Sequence, residues 1–214
     1  MKRLNIKTLL LTSIFSVLML LMVTCKKSES SPTSHDITAI SYVDHIKLSW
    51  NSFGNANYYV ITDDFYIVDE NNHQSDQTYN VTITETSQNN YVDLYPFAGM
   101  NHYKVTAVNE NGSNEYKEIS CYFSEGNPRI LIYPNPASSV FHLSAYNERE
   151  VPEGESISIN HITIETLQGQ VVYDINVDGE EFTINTSQYD NGIYLAHVNT
   201  DSGELVKRFV IAHD

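Results

Sequence analysis

A chain of 214 residues is long enough for one large domain or two small ones. Its 12 Lys and Arg against 27 Asp and Glu give a formal charge of −15, which repels phosphate backbones and anionic lipid and so excludes nucleic acid as a partner. The 15 Tyr, with many Thr, Val and Ile, suit a pleated, half-buried surface, so the expected class is all-β.

Residues 1–24 open with Lys2, Arg3 and Lys7 and then run apolar from Leu9 to Val23. A bilayer span needs about 20 apolar residues, so the shorter run reads as a signal peptide. Without those three basic residues the balance is 9 against 27, or −18. Thr24-Cys25-Lys26-Lys27 follows directly and resembles a bacterial lipoprotein signal, which implies lipidation of Cys25 and a membrane attachment through that anchor alone. The family prefers Leu and a small residue where this chain has Met22 and Thr24. Ordinary cleavage that leaves Cys25 as a thiol stays open, as does a Cys25–Cys121 disulfide. Residues 25–35 offer almost nothing to bury and read as a flexible tether.

Between residues 36 and 124 short runs alternate apolar and polar: Ile37–Ile40, His45–Trp50, Tyr58–Ile61, Phe65–Val68, Tyr79–Ile83, Tyr91–Leu94, His102–Val108 and Glu118–Phe123. Asn111-Gly112 marks a tight turn before the last of them. About seven strands in so short a span predict a two-sheet sandwich. Leu48-Ser49-Trp50, Leu94-Tyr95-Pro96 and Tyr103-x-Val105-x-Ala107 resemble a fibronectin type III module. The family's corner tyrosine is replaced by Asn101, and the loop Phe97–Met100 does not restore its hydrogen bond.

Residues 125–128 (Glu-Gly-Asn-Pro) form a short linker. From 129 to 214 further alternating runs predict a second antiparallel sandwich, with Gln168-Gly169 as a hairpin turn. Asn191-Gly192 is expected to supply a positive φ before the penultimate strand, and Asn147–Ser156 reads as a charged insertion. In order, Tyr133-Pro134-Asn135-Pro136, Gly169, Gly192-Ile193-Tyr194 and Lys207-Arg208-Phe209 resemble the type A C-terminal sorting domain of type IX secretion cargo in Gram-negative bacteria. That resemblance implies Sec export, handling by the type IX machinery, passage across the outer membrane to the cell surface or medium, and removal of the domain. A second adhesive sandwich is the competing reading.

Chemistry is sparse. There is no Gly-x-Ser-x-Gly elbow, His-Glu-x-x-His or P-loop. Asp63-Asp64 and Asp69-Glu70 are adjacent pairs that diverge on a strand, and read as solvated loop. Asp174 to Glu181 lacks a calcium-loop cadence and reads as a polar hairpin turn. Cys121, alternating with Ile119 and Phe123, reads as a core thiol. No catalytic residue, metal or cofactor is assigned, and the chain is expected not to be an enzyme. Tyr58, Tyr59, Tyr66, Tyr91 and Tyr95 suit a glycan or protein surface, with packing of the two sheets as the alternative. The function expected is a fibronectin-like binding or spacer module delivered by type IX secretion. The alternative is a lipid-anchored accessory protein whose C-terminal sandwich is retained and docks a partner.

Overall fold

The computed structural model describes residues 23–24, 37–71, 73–112, 114–126, 128–147 and 155–213. Cys25 and its tether, the signal segment through Met22, Asn127 and loop residues 148–154 lie outside them. The described residues hold strands and turns and no helix, arranged as four antiparallel sheets in two sandwiches.

The first sandwich contains β1 (Val23–Thr24), β2 (Ile37–Ser41), β3 (Ile46–Trp50), β4 (Tyr58–Val68), β5 (Gln74–Thr86), β6 (Asn90–Asp93), β7 (Gly99–Val108) and β8 (Asn114–Phe123). One sheet runs β1-β2-β3-β6 and the other β5-β4-β7-β8. The period-2 pattern sends Ile46, Leu48 and Trp50 inward from β3 to meet Ile61, Val105 and Cys121 of the facing sheet. Trp50 meets Tyr59 edge-on at 5.3 Å, and the Tyr59 hydroxyl accepts the Phe53 amide at 3.1 Å.

Several sequence expectations change here. The runs 58–61 and 65–68 form one continuous β4, because Asp63 keeps its place in the buried row of Tyr59, Ile61 and Phe65. Asp63 is therefore a buried strand residue, not part of a solvated loop. Asp69 does sit in a turn, where its Oδ1 accepts the amides of Asn71 and His73. Cys121 is fully buried but disulfide-bonded, so the expectation of a core thiol is corrected. Asn101 makes the corner that its loop neighbours do not: Oδ1 accepts the Phe97 amide at 3.0 Å, and Nδ2 donates to the Phe97 carbonyl at 2.8 Å. A short amide here reaches back over its own turn, a role that a tyrosine hydroxyl fills in immunoglobulin-type sandwiches.

Gly54 links β3 to β4 at φ 66, and a Cβ there would lie 2.6 Å from the Cβ of Ala107. Gly54→Ala is expected to cost about 2–5 kcal/mol, combining a left-handed backbone with overpacking. Urea unfolding followed by Trp50 fluorescence reads this directly, and a cost below about 1 kcal/mol would contradict the close approach to β7.

The second sandwich contains β9 (Arg129–Tyr133), β10 (Val140–Asn147), β11 (Glu155–Ser156), β12 (Ile159–Thr166), β13 (Val171–Gly179), β14 (Glu181–Asn185), β15 (Gly192–Thr200) and β16 (Gly203–Ile211). One sheet centres on β10, flanked by β9, β11 and β14; the other runs β13-β12-β15-β16. Phe141, Leu143, Ile162, Ile164, Ala196 and Phe209 fill the space between them. Gly169 turns β12 into β13 at φ 80. Residues 178–181 are not a hairpin turn, since β13 and β14 belong to different sheets and the chain there crosses from one to the other. Gly192 is not at positive φ either: it begins β15 opposite Ile211, and Gly203, at φ 122, turns that hairpin instead.

Candidate functional site

The two strings singled out in the second sandwich meet along one line. β16 pairs with β15 on one side, and its other edge is closed by the segment after β9. Ala137 forms a parallel bridge with Ile211, its amide donating to the Val210 carbonyl at 2.8 Å. The Asn135 Oδ1 accepts the Val210 amide at 2.9 Å. The C-terminal end of this edge strand thereby has its outward amide and carbonyl at Val210 occupied. Both proline peptide bonds here, Tyr133–Pro134 and Asn135–Pro136, are cis.

Asn135 also faces the first sandwich. Its backbone exchanges two hydrogen bonds with Val68 at the end of β4, Asn135 N to Val68 O at 2.8 Å and Val68 N to Asn135 O at 3.0 Å. β16 is buried on both faces from Arg208 to Ile211, and alternation divides these residues between two cores. Phe209 and Ile211 enter the second core, whereas Val210 joins the first, beside Ile193 and Ala212.

Arg208 points with Val210 into the first sandwich and is 2% exposed. Its Nη1 donates to Asp93 Oδ1 at 3.0 Å, and Nη2 lies 3.5 Å from Asp63 Oδ2. The guanidinium carbon sits 4.2 Å from the centre of the Phe97 ring, an aromatic face suited to a cation. Both carboxylates are held from behind. Asp93 Oδ2 accepts the Tyr103 hydroxyl at 2.8 Å, and Asp63 Oδ1 accepts the His102 amide at 2.8 Å. At the rim, Lys207 Nζ meets Glu125 Oε1 of the linker at 2.6 Å.

Two buried carboxylates facing one guanidinium leave one negative charge in excess. Burial pushes Asp63 up to about 8; Arg208 opposes this and Asp93 adds to it. At neutral pH the seam thus holds an Arg208–Asp93 ion pair beside a largely protonated Asp63. Burial raises the Tyr103 hydroxyl well above its ordinary value, with Asp93 adding to the effect, so it stays a donor.

The sorting-motif residues divide by position. Asn135, Lys207 and Arg208 come together at the seam. Tyr133 is half-buried at the end of β9 and donates to Glu181 Oε1 at 3.2 Å, while Pro134 and Pro136 flank the Val68 contact. Tyr194 is a core residue whose hydroxyl donates to the Asp190 carbonyl at 2.7 Å. Gly169 lies at a strand end away from the seam, whereas Gly192 opens β15 opposite Ile211, one residue before Ile193 at the first core. Asp63, Asp93 and Phe97 were not singled out by sequence as partners of Arg208. The signal available was an acid at an inward position of an alternating strand, clearest for Asp63 between Ile61 and Phe65.

Of the tyrosines set aside for ligand binding, Tyr59 is buried in the core, while Tyr66, Tyr91 and Tyr95 are half-buried and Tyr58 sits at the edge of exposure. The more exposed rings are Tyr116 and Tyr122 on β8. Among the described residues no group of three or more His, Cys, Asp or Glu is placed to hold a metal ion.

Residues 131–212 match the family model described as the secretion system C-terminal sorting domain. No curated protein matches the chain. Solved structures similar to it include the BSP domain of a biofilm-associated protein (13% identity, TM-score 0.28, 83% of this chain and 29% of that one). A two-domain fibronectin type III segment of chicken tenascin aligns at 13% identity and TM-score 0.27, over 88% of this chain and 98% of that one. Dimeric latent PorU from Porphyromonas gingivalis aligns at 14% identity and TM-score 0.29, over 90% of this chain and 20% of that one. The chain thus spans less than a third of the first and third of these structures, and at such scores none carries a functional argument. The sorting domain over residues 131–212 marks a protein exported by type IX secretion, carried across the outer membrane to the cell surface or the medium.

Proposed function

We propose that this is a non-enzymatic surface or secreted protein, in which the first sandwich is a fibronectin-like binding or spacer module and the second its export signal. The observation that carries this reading is the use made of the buried acids. Asp63 and Asp93 are the buried carboxylates among the described residues, and both are spent on Arg208 of the sorting strand. A pair so engaged is a joint between modules, not a general acid and base.

One observation favours the second reading, a lipid-anchored protein that keeps its C-terminal sandwich. The two modules are docked through buried contacts, as a retained partner-binding unit would be. Against that reading, the chain has two cysteines and Cys121 is disulfide-bonded, and a Cys25 sulfur engaged in that bond cannot also form a thioether to lipid. In a bacterium with type IX machinery, deletion of residues 129–214 is expected to leave the product in the periplasm. Mass spectrometry of the mature wild-type protein then separates the readings. A C-terminus near residue 128 supports cargo; acylated Cys25 with Asp214 intact supports the anchored form.

A further inference from the structure

The strand that carries the sorting string is covered in the folded chain. Arg208, Val210 and Asn135, three neighbours on one face, are all buried against the first sandwich. We propose that this face of β16 is an interaction surface for which the first sandwich acts as a placeholder, so that a partner reading it must displace Asp63, Asp93 and Phe97. The proposal rests on the sorting-domain reading above and adds which face is read and by what chemistry.

The chemistry of the cover defines the partner. A guanidinium withdrawn from water needs a carboxylate in return, and here it has Asp93 at 3.0 Å with an aromatic face at 4.2 Å. Val210 needs an apolar wall, and Asn135 needs a strand edge that takes and gives a backbone hydrogen bond as Val68 does. The competing partner is therefore a protein presenting a carboxylate beside an aromatic ring at a free β-edge. A wholly basic or wholly apolar surface cannot exchange with the cover, because it leaves Arg208 buried and unpaired. The Lys207–Glu125 pair joins β16 to the linker beside the same seam.

The test uses the full chain in four forms: wild type, D63N/D93N, R208M, and the triple variant D63N/D93N/R208M. The first readout is hydrogen exchange of the Val68 and Asn135 amides, which bond across the seam. D63N/D93N and R208M are each expected to speed that exchange at least tenfold. The triple variant is expected to return it toward wild type, since no unpaired charge remains. Trp50 fluorescence and the exchange of the Trp50 amide, which bonds Asn89 at the end of β3 far from Asp93, verify that the first sandwich stays folded in each; if D93N disturbs it through Tyr103, R208M alone carries the exchange readout. The second readout is export in a bacterium with type IX machinery. D63N/D93N, with Arg208 intact and uncovered, is expected to leave the cell at least as fast as wild type, whereas R208M and the triple variant fall at least fivefold. Unchanged exchange in both charge variants would overturn the placeholder, and R208M exporting like wild type would overturn the reading of Arg208. Wild-type export that survives deletion of residues 129–214 would instead overturn the sorting-domain reading, whatever the exchange data show.

Discussion

Phe209→Ala is expected to lower the stability of the second sandwich by about 3–5 kcal/mol, the usual cost of emptying a buried aromatic site. The Phe209 ring is fully buried, 4.8 Å from Phe141 and 5.9 Å from Tyr194, so its removal leaves a cavity bordered by rings that cannot collapse into it. Lys207→Ala, two residues earlier, removes a mostly buried ion pair with Glu125 and is expected to cost about 1–2 kcal/mol. Residues 207 and 209 lie on one face of β16, so the contrast tests whether that face runs from the rim at Lys207 into the second core at Phe209. Urea midpoints from exchange of β15 and β16 amides measure it. Similar costs at 207 and 209 would refute the burial of Phe209 in the second core.

The second large effect is on pH. Asp63 holds its proton to about pH 8 in the folded chain but only to about 4 when unfolded. Between these values the folded form binds more protons, so stability falls as pH rises through the window and levels off above it. One proton sets a slope of at most about 1.4 kcal/mol per pH unit. The groups facing Asp63 are Arg208 from β16, Asp93 and Tyr91 from β6, Tyr103 from β7 and its own neighbour Asp64. Of these, Arg208 keeps its charge throughout, and burial pushes both tyrosine hydroxyls above the window. Subtracting the Asp63→Asn profile from the wild-type profile between pH 5 and 7.5 cancels the titration of histidines elsewhere. The difference is expected to run downward by about 1 kcal/mol per unit in the wild type's disfavour. Parallel profiles would mean that Asp63 is ionised in the fold.

Much of the architecture was legible before any coordinates, because alternation reports which face of a strand is buried whatever it is buried against. His45–Trp50 and His102–Val108 could be assigned inward and outward residues from their own spacing, and Gly112 and Gly169 turn the chain where a small residue at positive φ was expected. Asn191-Gly192 misled, because Gly192 is already the first residue of β15, paired with Ile211, where an extended backbone and no positive φ is needed. The acids were misread for a related reason. Spacing separates Asp63 from Asp64 but does not say that the face of Asp63 meets a guanidinium 145 positions later in the numbering.

By itself, then, the sequence determined an all-β chain, its strand faces, and a sorting domain whose strings keep their order along the final third. Only the tertiary structure decided that Tyr133–Ala137 closes the edge of β16, that Asn101 builds the corner, and that Arg208 is enclosed by the first sandwich. The reason is the range over which each is set. Strand faces follow from neighbours two residues apart, whereas the seam depends on sheets from separate parts of the chain meeting at one angle, and only there does a buried positive charge find the acids that make its burial tolerable.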